Sequence, residues 1–478
     1  MNQKTQPDTY QQTRSAHWDE VARSGIQKKS RGNAYHKRLA EVYRFLVPPG
    51  ARVLEIGCGQ GDLLAALHPR VGVGLDFSAV MVKYARERHP KLTFHQMDAH
   101  DFSLEGKMFD AVILSDLIND VRDVKRVLEQ IKPHTHSRTR IIMNYYSRLW
   151  EIPLGLVRKL NLATPNLLQN WLTAEDVENL LYLAEYEVIR NWHEILLPLR
   201  IPFLGRLANR VLVKIRPFNW LALTNFTIAR PKPKSSVKVQ PSVSVIVPAR
   251  NEEGNIPAIM ARVPEMGAGT ELIFVEGNSR DNTYQAIEHA IALEPDRNVK
   301  LLKQPGVGKY DAVKVGFAAA TGDILMILDA DLTVPPEDLP GFYEALVSGK
   351  GDFINGVRLV YPMEKEAMRF LNLLGNKFFS LMFSWLLGQP IKDTLCGTKV
   401  LWKQDYELIA ANRAYFGDFD PFGDFDLIFG ATKLGMKIID YPVRYQERTY
   451  GTTNIDRWRH GVLLLKMVGV AARRLKFV

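Results

Sequence analysis

Short apolar runs alternate with longer amphipathic stretches along almost the whole chain, the layering expected of an α/β architecture. In the first half ARVLEIG, VGVGLDF, FDAVILS and RIIMNYY read as buried strands. In the second half SVSVIVPA, ELIFVEG, GDILMILDA and GDFINGVRLV repeat the pattern. Between them PKPKSSVKVQP, rich in Pro, Ser and Lys with no apolar period, predicts an extended linker. The expected organisation is one α/β domain over 1–230, a linker over 231–241, a second α/β domain over 242–456 and a basic amphipathic tail over 457–478. The two halves show no internal repeat.

Composition adds limits. A chain of 478 residues is too long for one core of ordinary size. Cys58 and Cys396 are the only cysteines, so a disulfide framework is excluded and a reducing compartment is expected. The polar start MNQKTQPDTYQQT is no signal peptide, and no run reaches the ~18 uncharged apolar residues of a spanning helix. A cytoplasmic protein, soluble or peripheral at the inner face of the membrane, is the expectation. The net charge of +10 is uneven: residues 1–230 carry +9, residues 241–456 carry −8, and 457–478 hold six basic residues and no acid. That is not a uniform nucleic-acid footprint, and basic patches on one domain and the tail fit an anionic surface better.

Chemistry enters at the strand ends. RVLEIGCGQGDLLAAL reads strand, glycine turn, helix, with Gly57, Gly59 and Gly61 allowing a sharp turn and close approach of a ligand. One strand later Asp76 closes VGVGLD, where a carboxylate can accept both hydroxyls of a ribose. Asp98 follows a third short strand in FHQMDAHDF. A tight turn without ligand is the plain alternative for the glycines alone. In the second half Asp329 and Asp331 follow the run ILMIL. On extended chain they point to one side, and acids ending an apolar run are costly unless they meet a cation. Hard divalent ions take such oxygen ligands and accept diphosphate in the rest of the shell. The plain alternative is a solvated strand end.

The order of motifs over roughly 15–230 resembles the class I S-adenosylmethionine-dependent methyltransferases. That resemblance implies a Rossmann-like, mostly parallel sheet closed by an antiparallel hairpin from YEVIRNWHE and LALTNFTIARP. Glu55, Gly57, Gly59 and Gly61 would contact the methionine part of the cofactor, Asp76 the ribose, and Asp98 or its neighbours the adenine. The sulfonium is already a strong methyl donor, so catalysis is mainly alignment. No base for an acceptor is assigned; His17, His36 and His100 are candidates that read equally as surface or packing residues. An Asn-Pro-Pro-Tyr motif after the fourth strand is absent, which argues against a nucleic-acid acceptor; Asn144-Tyr145-Tyr146 sits on the fifth.

The second half, over about 242–456, resembles the family 2 glycosyltransferases, which implies a GT-A fold and a nucleoside-diphosphate sugar donor. By position Pro248, Arg250, Asn251 and Glu252 or Glu253 would rim the base and ribose. Glu276 stands in the second-strand loop with Asp281; Lys309 and Asp311 belong to the loop covering the donor. The family often carries Asp-Asp-Gly-Ser where this chain has Glu276-Gly277-Asn278-Ser279, which leaves the base open. Asp329 and Asp331 match the Mg²⁺ or Mn²⁺ motif, with Asp329 also on the donor side. Asp424 or Asp426 would be the acid that serves as general base, and Arg444 and Arg448 would bind phosphate of the acceptor. IKDTLCGTKVLWK and the helical stretch around Phe378–Gly388 are most similar to the dolichol-phosphate glucose and mannose synthase branch. That stretch, the tail and the triplet Arg206, Arg210, Lys214 would suit a membrane surface, or be ordinary packed helices with solvated basic faces. The reading is a bifunctional transferase that moves a methyl group and a sugar, the latter to polyprenyl phosphate or a lipid-linked or cell-surface glycan. The alternative is a glycosyltransferase whose first domain is a non-catalytic docking module.

Overall fold

The computed structural model describes residues 5–24, 33–159, 167–199, 201–233, 240–361, 370–417, 424–448, 450–451 and 457–478. By internal contacts the chain divides into one unit of Met1–Lys232 with Phe477–Val478 and another of Pro233–Lys476. Most of the expected linker, 234–239, lies outside the described residues, as do 452–456 ahead of the tail.

The first unit holds seven strands: β1 Arg52–Ile56, β2 Val71–Asp76, β3 Thr93–Gln96, β4 Phe109–Ser115, β5 Thr135–Tyr146, β6 Tyr186–Glu194 and β7 Thr224–Pro231. Their order in the sheet is β3-β2-β1-β4-β5-β7-β6. The first five run parallel. β7 pairs antiparallel with both β5 and β6, the closing hairpin the resemblance implied. Successive side chains of a strand point to opposite faces. Leu54, Val73, Val112 and Leu114 pack in one core layer, and Val53, Ala111, Ile113 and Ile142 in another. A sheet covered on both faces explains why these strands read as continuous apolar runs.

The second unit has β8 Val243–Ala249, β9 Thr270–Glu276, β10 Val299–Lys303, β11 Ile324–Ile327, β12 Phe353–Val357, β13 Lys399–Trp402 and β14 Ile438–Pro442. The order is β10-β9-β8-β11-β13-β12-β14. β8, β9, β10 and β11 are parallel, and β13 is inserted antiparallel to both neighbours. Ala249 pairs with Glu276 and Ile246 with Ile327, so the loops after β8, β9 and β11 leave the same edge. β11 ends at Ile327, two residues before Asp329. Both aspartates therefore lie in the following turn, not on extended chain. The tail is a helix, Arg457–Ala471, running into a π-helical turn, Ala472–Lys476.

Candidate functional sites

In the first unit, β1 passes into a turn with Gly57 at φ 73°, Gly59 at φ 51° and Gly61 at φ 78°. The three are not equivalent. A Cβ at Gly57 would meet Leu117 at 2.8 Å and one at Gly61 would meet Phe94 at 2.6 Å, whereas one at Gly59 would meet nothing within 4 Å. Gly59 is therefore the glycine that opens onto space, and the other two serve the turn and its packing. Asp76, at the end of β2, is buried; its carboxylate accepts from Gly59 N–H at 2.8 Å and Ser78 N–H at 2.9 Å. Burial pushes Asp76 up to about 6 despite those bonds. Glu55 accepts from Leu64 N–H at 3.0 Å, pinning the helix Asp62–Ala66, and burial raises it to about 8. Asp98 accepts from His100 N–H and lies against His100 Nδ1, both at 2.7 Å, and from Gln11. Partial burial works against its charge, but these bonds hold it below the usual carboxylate range.

Two features here escaped sequence reasoning. The helix Thr5–Ser24 straps the carboxyl ends of β2, β3 and β4: Gln11 reaches Asp98, Arg14 and Trp18 reach Asp120, and Asp19 reaches Ser78. Directly after β4, Asp116 sits at φ 55° and accepts from Tyr35 Oη at 2.7 Å and Asn144 Nδ2 at 2.6 Å. Asn144 Oδ1 in turn accepts from Tyr43 Oη at 2.8 Å and Ser115 Oγ at 3.0 Å. Tyr35, Tyr146 and Trp171 follow one another as an aromatic run with centroids 6.1 and 6.3 Å apart. Burial raises Asp116, with Tyr35 and His36 opposing. Of the three candidate histidines, His36 packs edge-on to Tyr35, His17 packs on Trp18, and His100 holds Asp98.

In the second unit the acids are gathered with cations. Asp329 pairs with Lys309 Nζ at 2.5 Å. Asp331 accepts from Arg448 Nη2 at 2.7 Å and from Thr333 Oγ1 at 2.7 Å. Arg448 also lies 3.4 Å from Glu252. Burial disfavours charge on Lys309, but Asp329 and Asp424 hold it above the usual lysine range. Arg250, Asn251, Glu252, Asp281, Arg448, Tyr450 and Gly451 line a cavity of about 300 Å³. The structure separates Glu252, which faces that cavity, from Glu253, which accepts from Asn282 N–H at 3.2 Å. Asn251, at φ 57°, donates to Ser279 Oγ at 3.0 Å, and Glu276 accepts from Ser279 N–H at 2.5 Å. Pro248, within β8, precedes them, and Asp281 accepts from Thr283 N–H at 3.1 Å. Asp311 accepts from Gly306 N–H at 2.7 Å and so closes the loop ahead of Lys309.

The remaining candidates divide. Asp424 is buried, 3.7 Å from Lys399 Nζ, and its charge acts on Lys309; Asp426 accepts from Arg413 Nε at 2.9 Å. Arg444 is exposed and stacks on Tyr361 at 5.1 Å, whereas Arg448 is at the acids. Sequence reasoning missed the Arg358–Asp393 pair, bonded at 2.7 and 2.9 Å, with Asp393 also accepting from Leu395 and Cys396 N–H. It shapes the turn that brings Gly397 against Asp329 and Lys309, where a Cβ would collide with both. Asp329 and Asp331 offer the hard carboxylate oxygens that a divalent cation takes, each here paired with Lys309 or Arg448. No cluster of three or more potential metal-binding side chains exists among the described residues, so Asp329 and Asp331 would need oxygens from elsewhere. S-adenosylmethionine fits the first cradle by the open side of Gly59 and the buried acceptor Asp76 beside it.

Comparison with known proteins divides the chain the same way. Residues 48–188 match the family "Methyltransferase domain" and 244–400 match "Glycosyl transferase family 2". An undecaprenyl-phosphate 4-deoxy-4-formamido-L-arabinose transferase of Aeromonas hydrophila is 36% identical over 111 residues, 22% of this chain and 34% of that protein. A dolichol-phosphate mannosyltransferase of Pyrococcus furiosus is 28% identical over 247 residues, 49% of this chain and 67% of that protein. The chain thus spans about a third of the first relative's length and two thirds of the second's. Glucosyl-3-phosphoglycerate synthase of Mycobacterium tuberculosis, solved with Mn²⁺ and UDP-glucose, aligns at TM-score 0.37 and 19% identity, covering 49% of this chain and 79% of that one.

Proposed function

We propose that this chain, a methyltransferase domain followed by a family 2 glycosyltransferase domain, is a bifunctional transferase acting on lipid-linked sugar. Its second site moves a sugar, with inversion, from a nucleoside diphosphate to polyprenyl phosphate or a lipid-linked glycan; its first site methylates from S-adenosylmethionine. The observation that carries the reading is the pair Asp329 and Asp331, each balanced by a cation, on the sheet edge that also carries the cavity-lining loops. The relatives named for undecaprenyl and dolichol phosphate support the acceptor class.

The nucleoside would occupy the cavity beside Glu252 and Asp281. Asp329 and Asp331 would hold Mg²⁺ or Mn²⁺, which supplies positive charge to the departing diphosphate. Lys309 and Arg448, already at the acids, would turn to phosphate oxygens once the cation takes their place; the planar guanidinium suits a bidentate phosphate. A lipid phosphate is anionic at neutral pH and needs alignment more than a base; Asp424, facing Lys399 and Lys309, is the better placed of the two acids for an acceptor hydroxyl.

In the first unit Asp76 would accept the ribose hydroxyls and Asp98 would face the adenine, under the strap Thr5–Ser24. The cofactor supplies an activated methyl group. Asp116, steered by Tyr35 and Asn144, would take the acceptor's proton, and the aromatic run would position the acceptor. Peripheral contact with the inner face of the membrane is part of the proposal. Phe378, Leu381 and Trp385 on the helix Phe370–Leu387, and Val462 and Leu465 on Arg457–Ala471, are exposed, and no described helix is long and apolar enough to cross a membrane. The test is incubation of the full chain with polyprenyl phosphate, Mg²⁺ or Mn²⁺ and a panel of labelled sugar nucleotides. Label in the lipid phase that EDTA prevents is expected; label in soluble acceptors alone would refute the lipid acceptor.

A further inference from the structure

Connections between strands are ordinarily polar, because they run over the surface. The one from β6 to β7 is not. Residues 196–223 hold five basic residues, no acid, and a series of apolar side chains. Phe203 is 91% exposed at φ 58°, just ahead of the helix Leu204–Arg210, and Trp220 is 58% exposed in the short turn Phe218–Leu221. The segment after β5 adds Ile152, 76% exposed, and Leu156. The two segments are joined: Trp150 Nε1 donates to the Leu221 carbonyl at 3.0 Å and Ser147 N–H to that of Leu223 at 2.8 Å. Both segments thus carry exposed apolar side chains beside the point where they meet, and large apolar side chains gathered on a surface commonly mark a partner.

Its charges are one-sided. Arg148, Arg206 and Arg216 are exposed on the same segments, against Glu151 as their acid. Of the other described cations, Lys214 is turned inward onto the buried Glu194 and Arg210 pairs at the surface with Glu41, so the triplet spaced by four does not act as one basic face. Aromatic and aliphatic side chains rimmed by exposed arginine are the composition of a surface that settles into headgroups, with rings at the acyl boundary and guanidinium on lipid phosphate. β5 runs parallel to β1, β2 and β4, so the face lies toward the sheet edge that carries Gly59, Asp76 and Asp116.

We infer that the first unit docks through this face onto a bilayer containing anionic lipid, turning the mouth of its cradle toward the headgroups. The inference shares with the proposed function the expectation that the protein meets a membrane, but assigns that contact to the methyltransferase unit. It holds whether the first cradle is catalytic or only binds.

The test uses the full chain. Cys58 and Cys396 are buried, so Phe203→Cys can be labelled selectively with an environment-sensitive fluorophore, and Leu293→Cys in the second unit serves as control. Phosphatidylcholine vesicles containing phosphatidylglycerol should shift the Phe203→Cys emission to the blue and leave the control unchanged, and pure phosphatidylcholine should do so weakly. The double change Phe203→Glu with Trp220→Glu should weaken vesicle binding on the order of tenfold or more while S-adenosylmethionine binding persists. If the chain sediments with vesicles but the label at 203 stays in water, the contact belongs to the second unit. The membrane reading then stands and this inference fails. If the chain does not sediment at all, both fail. An emission already blue without vesicles would show the face covered by protein, and would also overturn it.

Discussion

Asp76 is the residue whose chemistry is most exposed to a simple experiment. Its ordinary value near 3.8 is raised to about 6 by burial, against two backbone N–H donors. As a ribose acceptor it must be ionised, so protonation removes binding. Through Asp76, S-adenosylmethionine affinity should fall as pH drops through 6, approaching tenfold per unit by about pH 5. Asp76→Asn should remove that dependence and weaken binding at the upper plateau by about 2–4 kcal/mol, measured calorimetrically. Asp116 separates binding from chemistry. In Asp116→Asn the side-chain carbonyl still accepts from Tyr35 and Asn144, so fold and cofactor affinity should persist. Single-turnover methyl transfer should fall by about 10²–10⁴-fold if the carboxylate takes the proton. An unchanged rate would reduce Asp116 to a structural acceptor.

At the scale of elements, the strands that carry the sites were legible because they are buried on both faces. β1, β2, β8 and β9 each read as an apolar run with a chemical residue at its end. β10, β13 and β14 escaped, being four or five residues long and carrying Lys, Asp or Pro among few apolar positions. The strap Thr5–Ser24 escaped for another reason: in TQPDTYQQTRSAHWDEVARS only the short set Trp18, Val21 and Ala22 packs on Met81, and the turns ahead of it are held by the polar contacts of Gln11, Arg14 and Asp19. Site residues that close a strand were readable. Asp116 was not, because its role comes from Tyr35, 81 positions away, and Asn144, 28 away. The turn Asp393–Gly397 is the same kind of case and gives a sharp prediction. Gly397→Ala places a methyl group where the Asp329 carboxylate and Lys309 ammonium meet. Displacing that pair by an ångström should cost sugar transfer on the order of 10²-fold and leave S-adenosylmethionine binding untouched.

Over the whole molecule, the two cradles belong to different compact units, each with its own seven-stranded sheet and core. A ligand stabilises only the structure it binds, by RT ln(1 + [L]/Kd), or about 2.7 kcal/mol at a hundredfold excess over Kd. In a unit of this size that is about 5–10 °C in Tm. Calorimetric heating of the full chain should therefore give two transitions. S-adenosylmethionine should raise one, and a nucleoside diphosphate with Mn²⁺ should raise the other. Asp331→Ala should abolish the second shift and sugar transfer while the first shift stays intact; Asp76→Ala should do the reverse. A single transition raised by both ligands would mean that the units unfold as one body and that occupancy of either cradle stabilises the other. A scheme of two independently stable units would then give way to one cooperative body.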